Sequence, residues 1–179
     1  NLKSMIIGSI SENKNLDQRI AITPDVAKKY KSLGLEIFLT KGYGQHLGIS
    51  DDEFLKEGVN LKDNEDEIIS KADLILQLNL LSDEKLEKLK EKQILIGILN
   101  PYENNEKLKL LIEKKINCFS LELLPRITRA QSMDILSSQA NLAGYKAVVD
   151  SFSYFKKAIP MMMTAAGTIS AARVLVVGA

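Results

Sequence analysis

A single cysteine, a single histidine and four arginines are what this chain of 179 residues has least of. Each scarcity narrows the reading. Cys118 sits in the apolar run Ile116-Asn117-Cys118-Phe119, which predicts a buried, reduced and inert thiol and fits a reducing compartment. The formal net charge is +1, so there is no electrostatic case for nucleic acid or an anionic membrane as partner. Long hydrophobic runs are missing as well. Ala158 to Gly167 is the longest weakly polar stretch, and it is ten residues with Pro160 inside. A membrane span needs roughly 20 apolar residues, so membrane work would fall to other segments or chains. No signal peptide and no metal-ligand set are read. The chain has no initiator methionine and stops abruptly after Val176-Val177-Gly178-Ala179, which reads as a fragment.

What is present centres on the arginines. Of 24 basic residues only Arg19, Arg126, Arg129 and Arg173 are arginine. A guanidinium is a planar fork of donors that grips carboxylate, phosphate or amide in fixed geometry, as lysine cannot. Two of the four fall in Pro125-Arg126-Ile127-Thr128-Arg129-Ala130-Gln131-Ser132-Met133-Asp134. Donors, acceptors and a carboxylate crowd into one turn between apolar elements, the composition of a ligand-gripping loop.

Short apolar runs alternate with amphipathic stretches along the chain. Strands are expected over 5–9, 36–40, 73–78, 94–99 and 117–121. Helices are expected over 24–33, from Ser50 to Gly58, over 66–71, 82–90 and 105–114. Thr23-Pro24-Asp25 is a good helix start, and Gly34 a stop. This alternation predicts the α/β class: a flavodoxin-like, mostly parallel sheet with helices on both faces. Ligands of such sheets bind beyond the carboxyl ends of the strands, which is where the Arg126 loop follows. A long helix from Ile135 to about Phe155 comes next, with Ser137, Ala140, Ala143, Gly144 and Ala147 forming a small-residue face. That face suits either close ligand approach or tight packing. Pro160 and Met161 to Met163 read as a hinge or as core filler. Arg173 to Ala179 reads as the first strand of a truncated Rossmann domain, with Gly178 opening its phosphate turn. The expected divisions are 1–135, 136–168 and 169–179.

The stretch 125–134, followed by Ser137-Ser138-Gln139-Ala140-Asn141-Leu142-Ala143-Gly144-Tyr145, resembles the NAD(H)-binding component of proton-translocating NAD(P) transhydrogenase. Arg19-Ile20-Ala21-Ile22-Thr23-Pro24 resembles an entry motif shared by that component and alanine dehydrogenase. The resemblance covers essentially the whole chain. It implies two α/β domains with NAD(H) in the cleft between them, and hydride passing from NADH to NADP+ held by a partner component. Proton translocation would belong to membrane-spanning components. A homodimer at the cytoplasmic side of the inner membrane is implied, peripheral and without insertion by this chain. Arg126, Gln131 and Asp134 would serve catalysis. Arg126, Ile127, Thr128, Arg129, Gln131, Ser132, Asp134, Ser137 and Gly178 would contact the cofactor. Within the loop, Gln131 and Ser137 would hold carboxamide and ribose, and Asp134 would stabilise charge on the ring or orient Arg126. Thr128, Arg129 and Ser132 would shape the loop. Without the glycine turn, this piece alone would be inactive.

Two alternatives stand beside this reading. Alanine dehydrogenases place a lysine and a histidine where Gln77 and Asn100 stand here. Glutamine makes no ion pair with a substrate carboxylate, and asparagine shuttles no proton. Arg19 is then expected to be structural, and His46, in a glycine-rich loop, to be a surface residue. The third reading is a non-catalytic flavodoxin-like binding or dimerisation domain. The density of polar groups at 126–137 argues against it. The lysine-rich helices, interleaved with glutamates, are expected to be solvated faces with local ion pairs.

Overall fold

A computed structural model describes residues 4–178. The chain divides after Met133 into two compact units. In the first, strands and helices alternate: β1 (Ile6–Ser9), α1 (Pro24–Ser32), β2 (Glu36–Thr40), α2 (Asp51–Lys56), β3 (Asn60–Lys62), α3 (Glu65–Lys71), β4 (Leu74–Asn79), α4 (Asp83–Glu87), β5 (Ile94–Ile98), α5 (Asn105–Glu113) and β6 (Asn117–Ser120). Local chemistry sets the boundaries. Thr23 accepts the Val26 N–H at the start of α1, Pro24 fills the first turn, and Gly34 at φ 80° follows its end. Glu53 reaches back to accept the Ser50 N–H at 2.9 Å, fastening the entry to α2. Asn64 accepts from the Asp66 N–H and caps α3.

The six strands form one sheet in the order β3-β2-β1-β4-β5-β6, every neighbouring pair parallel. The expected α/β sheet is therefore present. Its order is doubly wound with a reversal between β1 and β4, where flavodoxin runs 2-1-3-4-5. β3 is an addition to the expected elements. Its sequence Asn60-Leu61-Lys62 is short and polar, and it lies on the edge beside β2.

A hydrophobic cluster lies on each face. Ile37 and Leu39 of β2 point with Ile7, Ala27 of α1 and Phe54 of α2 to one side, while Phe38 joins Ile68 and Ile69 of α3, Ile75, Leu86, Leu95 and Leu111 on the other. Period-two alternation thus sorts adjacent residues onto opposite faces. Close approach explains Gly8: a Cβ there would lie 2.8 Å from both Ala72 Cβ and Ile68 Cγ2, so α3 rests directly on β1.

The sheet thins toward β6. Asn117, Cys118 and Phe119 are exposed. Cys118 is thus not the buried thiol the sequence suggested, because an edge strand has a covering layer over less of its surface. What burial it has raises the thiol pKa. The charged helices match expectation: Lys88 pairs with Asp66 and Glu84, Lys109 with Glu106, and Lys85 with Glu65.

The second unit holds α6 (Ile135–Tyr154), twenty residues long, and an antiparallel hairpin of β7 (Met162–Thr164) and β8 (Gly167–Ile169). Met161 to Met163 are exposed and so are not core filler here; Met162 and Met163 lie in β7. Arg173 to Val177, read as the first strand of a further domain, pairs with no strand among the described residues. Val174 to Val177 are exposed, and a β-strand exists only through its ladder. Gly178 stands at φ 79°; Ala179 lies outside the described residues. None of the helices among the described residues is long and apolar enough to cross a membrane.

Candidate functional site

The carboxyl ends of the strands carry two groups of polar residues, and a third opens the second unit. The first is at the switch point between β1 and β4. A register shift in β4 between Leu76 and Asn79 frees backbone donors. Glu12 Oε1 accepts the Leu78 N–H at 2.7 Å and the Asn79 N–H at 3.4 Å. The Asn79 side chain donates to both Glu12 and Asp17. Asp17 receives the guanidinium of Arg19 at both oxygens, with Nε at 2.9 and 3.3 Å and Nη2 at 2.6 Å. The Arg19 fork holds the Asp17 carboxyl down to about 2. Arg19 is structural in this sense, as expected once Gln77 and Asn100 argued against amino-acid oxidation. Beside this network lies a cleft of about 330 Å³ lined by Ile10, Glu12, Leu16, Asn79, Lys85 and Lys107.

Gln77 is built into the core immediately beneath. It is 3 % exposed. Its Oε1 accepts from Ser9 Oγ and the Ile10 N–H at 3.2 Å, and its Nε2 donates to the Ile10 carbonyl at 2.9 Å. Tyr43 closes the same network through Ser9 Oγ at 2.7 Å and the Ala21 N–H at 3.1 Å. Burial pushes the Tyr43 phenol up. Gln77 therefore spends its hydrogen bonds on the chain itself. Asn100, exposed at the end of β5, takes φ 45° and offers its carbonyl to the Glu103 and Asn104 N–H groups. His46 is exposed, with Nε2 2.7 Å from the Gln18 carbonyl, a loop residue as expected.

The second group is the arginine loop. After β6 the chain makes a short 3-10 turn at Leu121–Leu123, then a second over Thr128–Met133. The Ile127 N–H donates to the Pro125 carbonyl and the Ala130 N–H to the Ile127 carbonyl, both at 2.9 Å. Ala130 is buried and anchors the turn; Arg126, Ile127, Thr128, Arg129, Gln131 and Ser132 are exposed. Among the described residues the guanidiniums of Arg126 and Arg129 are held by no ion pair or hydrogen bond. Arg129 thus lacks the structural ion pair that would explain it without a ligand. The tight turn places these donors on one exposed segment beyond the carboxyl end of β6.

The third group opens the second unit. Asp134 caps α6: its carboxylate accepts the Ser137 N–H at 2.9 Å and the Ser137 hydroxyl at 2.6 Å. Asp134 and Ser137 are thereby brought together, three residues apart. Farther along α6, Gly144 and Ala147 of the small-residue face line an apolar cleft of about 650 Å³ with Val148, Phe152 and the segment from Ala172 to Gly178. Nothing lies within 4 Å of a Cβ built on Gly144, so tight packing does not account for that glycine among the described residues.

Sequence reasoning missed Glu12, Asp17 and Asn79. Their signal was faint: polar residues in the loop after β1 and at the last position of β4, on the edge a parallel sheet turns toward its ligands.

Residues 8–143 match the family described as alanine dehydrogenase/PNT, N-terminal domain. The chain belongs to this family. Within the alanine dehydrogenase/PNT family it is 42% identical over 178 residues to an NAD(P) transhydrogenase subunit alpha protein of Rickettsia prowazekii (strain Madrid E), an alignment covering 97% of this chain and 46% of that protein. Its fold is similar to the crystal structure of transhydrogenase from Sinorhizobium meliloti, with a TM-score of 0.87 and 40% identity over 93% of this chain and 48% of that one. An L-alanine dehydrogenase structure matches with a TM-score of 0.62 at 18% identity, over 66% of this chain and 32% of that one, a likeness of fold alone. The chain spans just under half the length of these transhydrogenase relatives.

Proposed function

We propose that this chain is the nicotinamide-facing portion of an NAD(H)-binding transhydrogenase alpha component. It would act with a partner component that holds NADP(H). The observation that carries the reading is the Arg126–Ser132 segment. Two guanidiniums and a glutamine amide are presented at the carboxyl edge of a parallel sheet, with no internal partner among the described residues to explain them. Kinship with proteins named transhydrogenase supplies the direction.

The residues present fit the nicotinamide half of NAD(H). Its carboxamide and ribose need donors and acceptors in fixed places, which Gln131, Ser132 and Ser137 offer. Arg126 and Arg129 offer forks to phosphate or amide oxygens, and Ile127 and Thr128 line the same segment. Gly178, at positive φ, would begin a phosphate turn in this reading. The bound nucleotide supplies the hydride. Arg126, Gln131 and Asp134 position the ring and balance its charge, with no side-chain proton donor required. Asp134 does this through Ser137, whose hydroxyl it orients. In this reading a homodimer works at the cytoplasmic face of the inner membrane, and membrane-spanning components move the proton.

Amino-acid oxidation is the weaker reading within the family. Gln77 is committed to Ser9 and Ile10, and Asn100 has no titratable group. The test is NADH-dependent reduction of a nicotinamide analogue by the full-length protein with its NADP(H)-binding partner, with alanine plus NAD+ run in parallel. Arg126→Ala is expected to cut partner-dependent turnover by roughly tenfold to a hundredfold, the weight of one charge-assisted contact, with folding intact. Unchanged turnover would remove Arg126 from the site.

A further inference from the structure

At the root of the arginine loop two buried polar atoms have no partner among the described residues: Ser120 Oγ and Glu122 Oε2. A carboxylate oxygen withdrawn from water without a donor is costly, and few native polar atoms are left so. Both atoms lie at the carboxyl end of β6, the ligand-binding edge of the sheet. Their surroundings are fixed. Ser120 pairs in register with Gly97 of β5. The other oxygen of Glu122, Oε1, accepts the Asn100 N–H at 2.6 Å. Asn100 itself is held in the left-handed region, which asparagine tolerates better than most residues. Glu122 therefore ties the turn after β6 to the turn after β5 with one oxygen and keeps the second as an oriented acceptor. Arg126 follows four residues later.

We propose that Ser120 and Glu122 form a hydrogen-bond-accepting subsite for the nicotinamide half of the nucleotide, taking an amide or hydroxyl hydrogen from it. This rests on the reading of residues 126–137 as the nicotinamide-contacting segment. The donor is either the carboxamide amine or a ribose hydroxyl, the two donor types that half of the molecule carries. Glu122→Gln is the informative variant. Its Oε1 still accepts the Asn100 N–H, while an NH2 replaces Oε2 and meets the ligand's donor with a donor. Ser120→Ala removes the neighbouring hydroxyl without adding bulk.

The experiment is NADH titration of the full-length protein by fluorescence, with thermal melting of every variant. Glu122→Gln is expected to weaken NADH binding roughly tenfold to a hundredfold, the worth of a hydrogen bond to a charged group, and Ser120→Ala by a smaller factor, with melting midpoints unchanged. An analogue carrying acetyl in place of carboxamide tells the donors apart. If wild type binds it as weakly as Glu122→Gln binds NADH, the carboxamide is the donor. If wild type binds it like NADH and Glu122→Gln still weakens it, the donor is a ribose hydroxyl. Equal NADH affinity in wild type and Glu122→Gln overturns the subsite. So does a loss of binding that follows a fall in melting midpoint in both variants. A wild-type protein that binds no NADH overturns the functional reading, and the subsite with it.

Discussion

Tyr43 shows how a single side chain joins three segments of the first unit. Its ring is 1 % exposed and meets Phe54 edge-on, with ring centroids 5.9 Å apart. Its hydroxyl bonds Ser9 at the end of β1 and the Ala21 N–H in the loop before α1. Tyr43→Phe keeps the packing, takes the acceptor from the Ala21 N–H and leaves the Ser9 hydroxyl with Gln77 alone, so it should cost about 1–3 kcal/mol, read as a lower denaturation midpoint. Asp17 allows a pH test. Its folded pKa of about 2 lies below the ordinary 3.8 because Arg19 favours the charged form. A depressed pKa contributes stability that is full above the unfolded value and lost as pH falls through the folded one. Since Arg19 is exposed, the contribution is about 1 kcal/mol or less. Melting followed from pH 5 to pH 2 should therefore fall less steeply in Asp17→Asn than in wild type. Identical acid limbs would show that the pair adds nothing.

At the scale of elements, the register shift in β4 organises the switch point, and Gly97 permits it. A Cβ on Gly97 would collide with the Gln77 carbonyl oxygen, a backbone atom with little freedom to yield. Gly97→Ala should push β5 from β4, loosen the Leu78 and Asn79 N–H groups from Glu12, and cost about 1–3 kcal/mol. Hydrogen exchange checks this directly: protection at Leu78 and Asn79 should drop more than protection at Ile37 or Leu39. Elements with strong local signals were legible before the fold was seen. β2 and β5 are near-continuous apolar runs, and α1 carries cap, proline and stop in sequence. β3 was not legible, because a three-residue polar edge strand exists through its pairing with β2 rather than its composition. The Val-rich segment before Gly178 has strand propensity, but it has no neighbouring strand among the described residues with which to form a ladder. The arginine loop, singled out by residue type, is an exposed turn whose two guanidiniums are held by no partner among the described residues. The Glu12–Asn79–Asp17 network was not legible, because it depends on a topological reversal that only the strand order reveals.

The two units differ in what holds them. Every buried hydrophobic side chain among the described residues lies at or before Ala130, in the two clusters that sandwich the sheet and in the turn that ends the first unit. The second unit has none among the described residues. Along α6, Leu142, Tyr145, Val148 and Phe152 are all more than half exposed. Burial of apolar surface is the dominant favourable term in folding, and helices in proteins owe most of their stability to packing of an apolar face. The first unit should therefore carry essentially all of the cooperative stability. Residues 1–133 alone are expected to melt in one sharp transition, with a midpoint within a few degrees of the 179-residue chain. A peptide of residues 134–179 should show partial helicity that fades gradually on heating. Circular dichroism of the three species decides the matter. If the shortened chain lost its sharp transition, the sheet would need the second unit to fold, and the clusters on its two faces would not be a self-sufficient core.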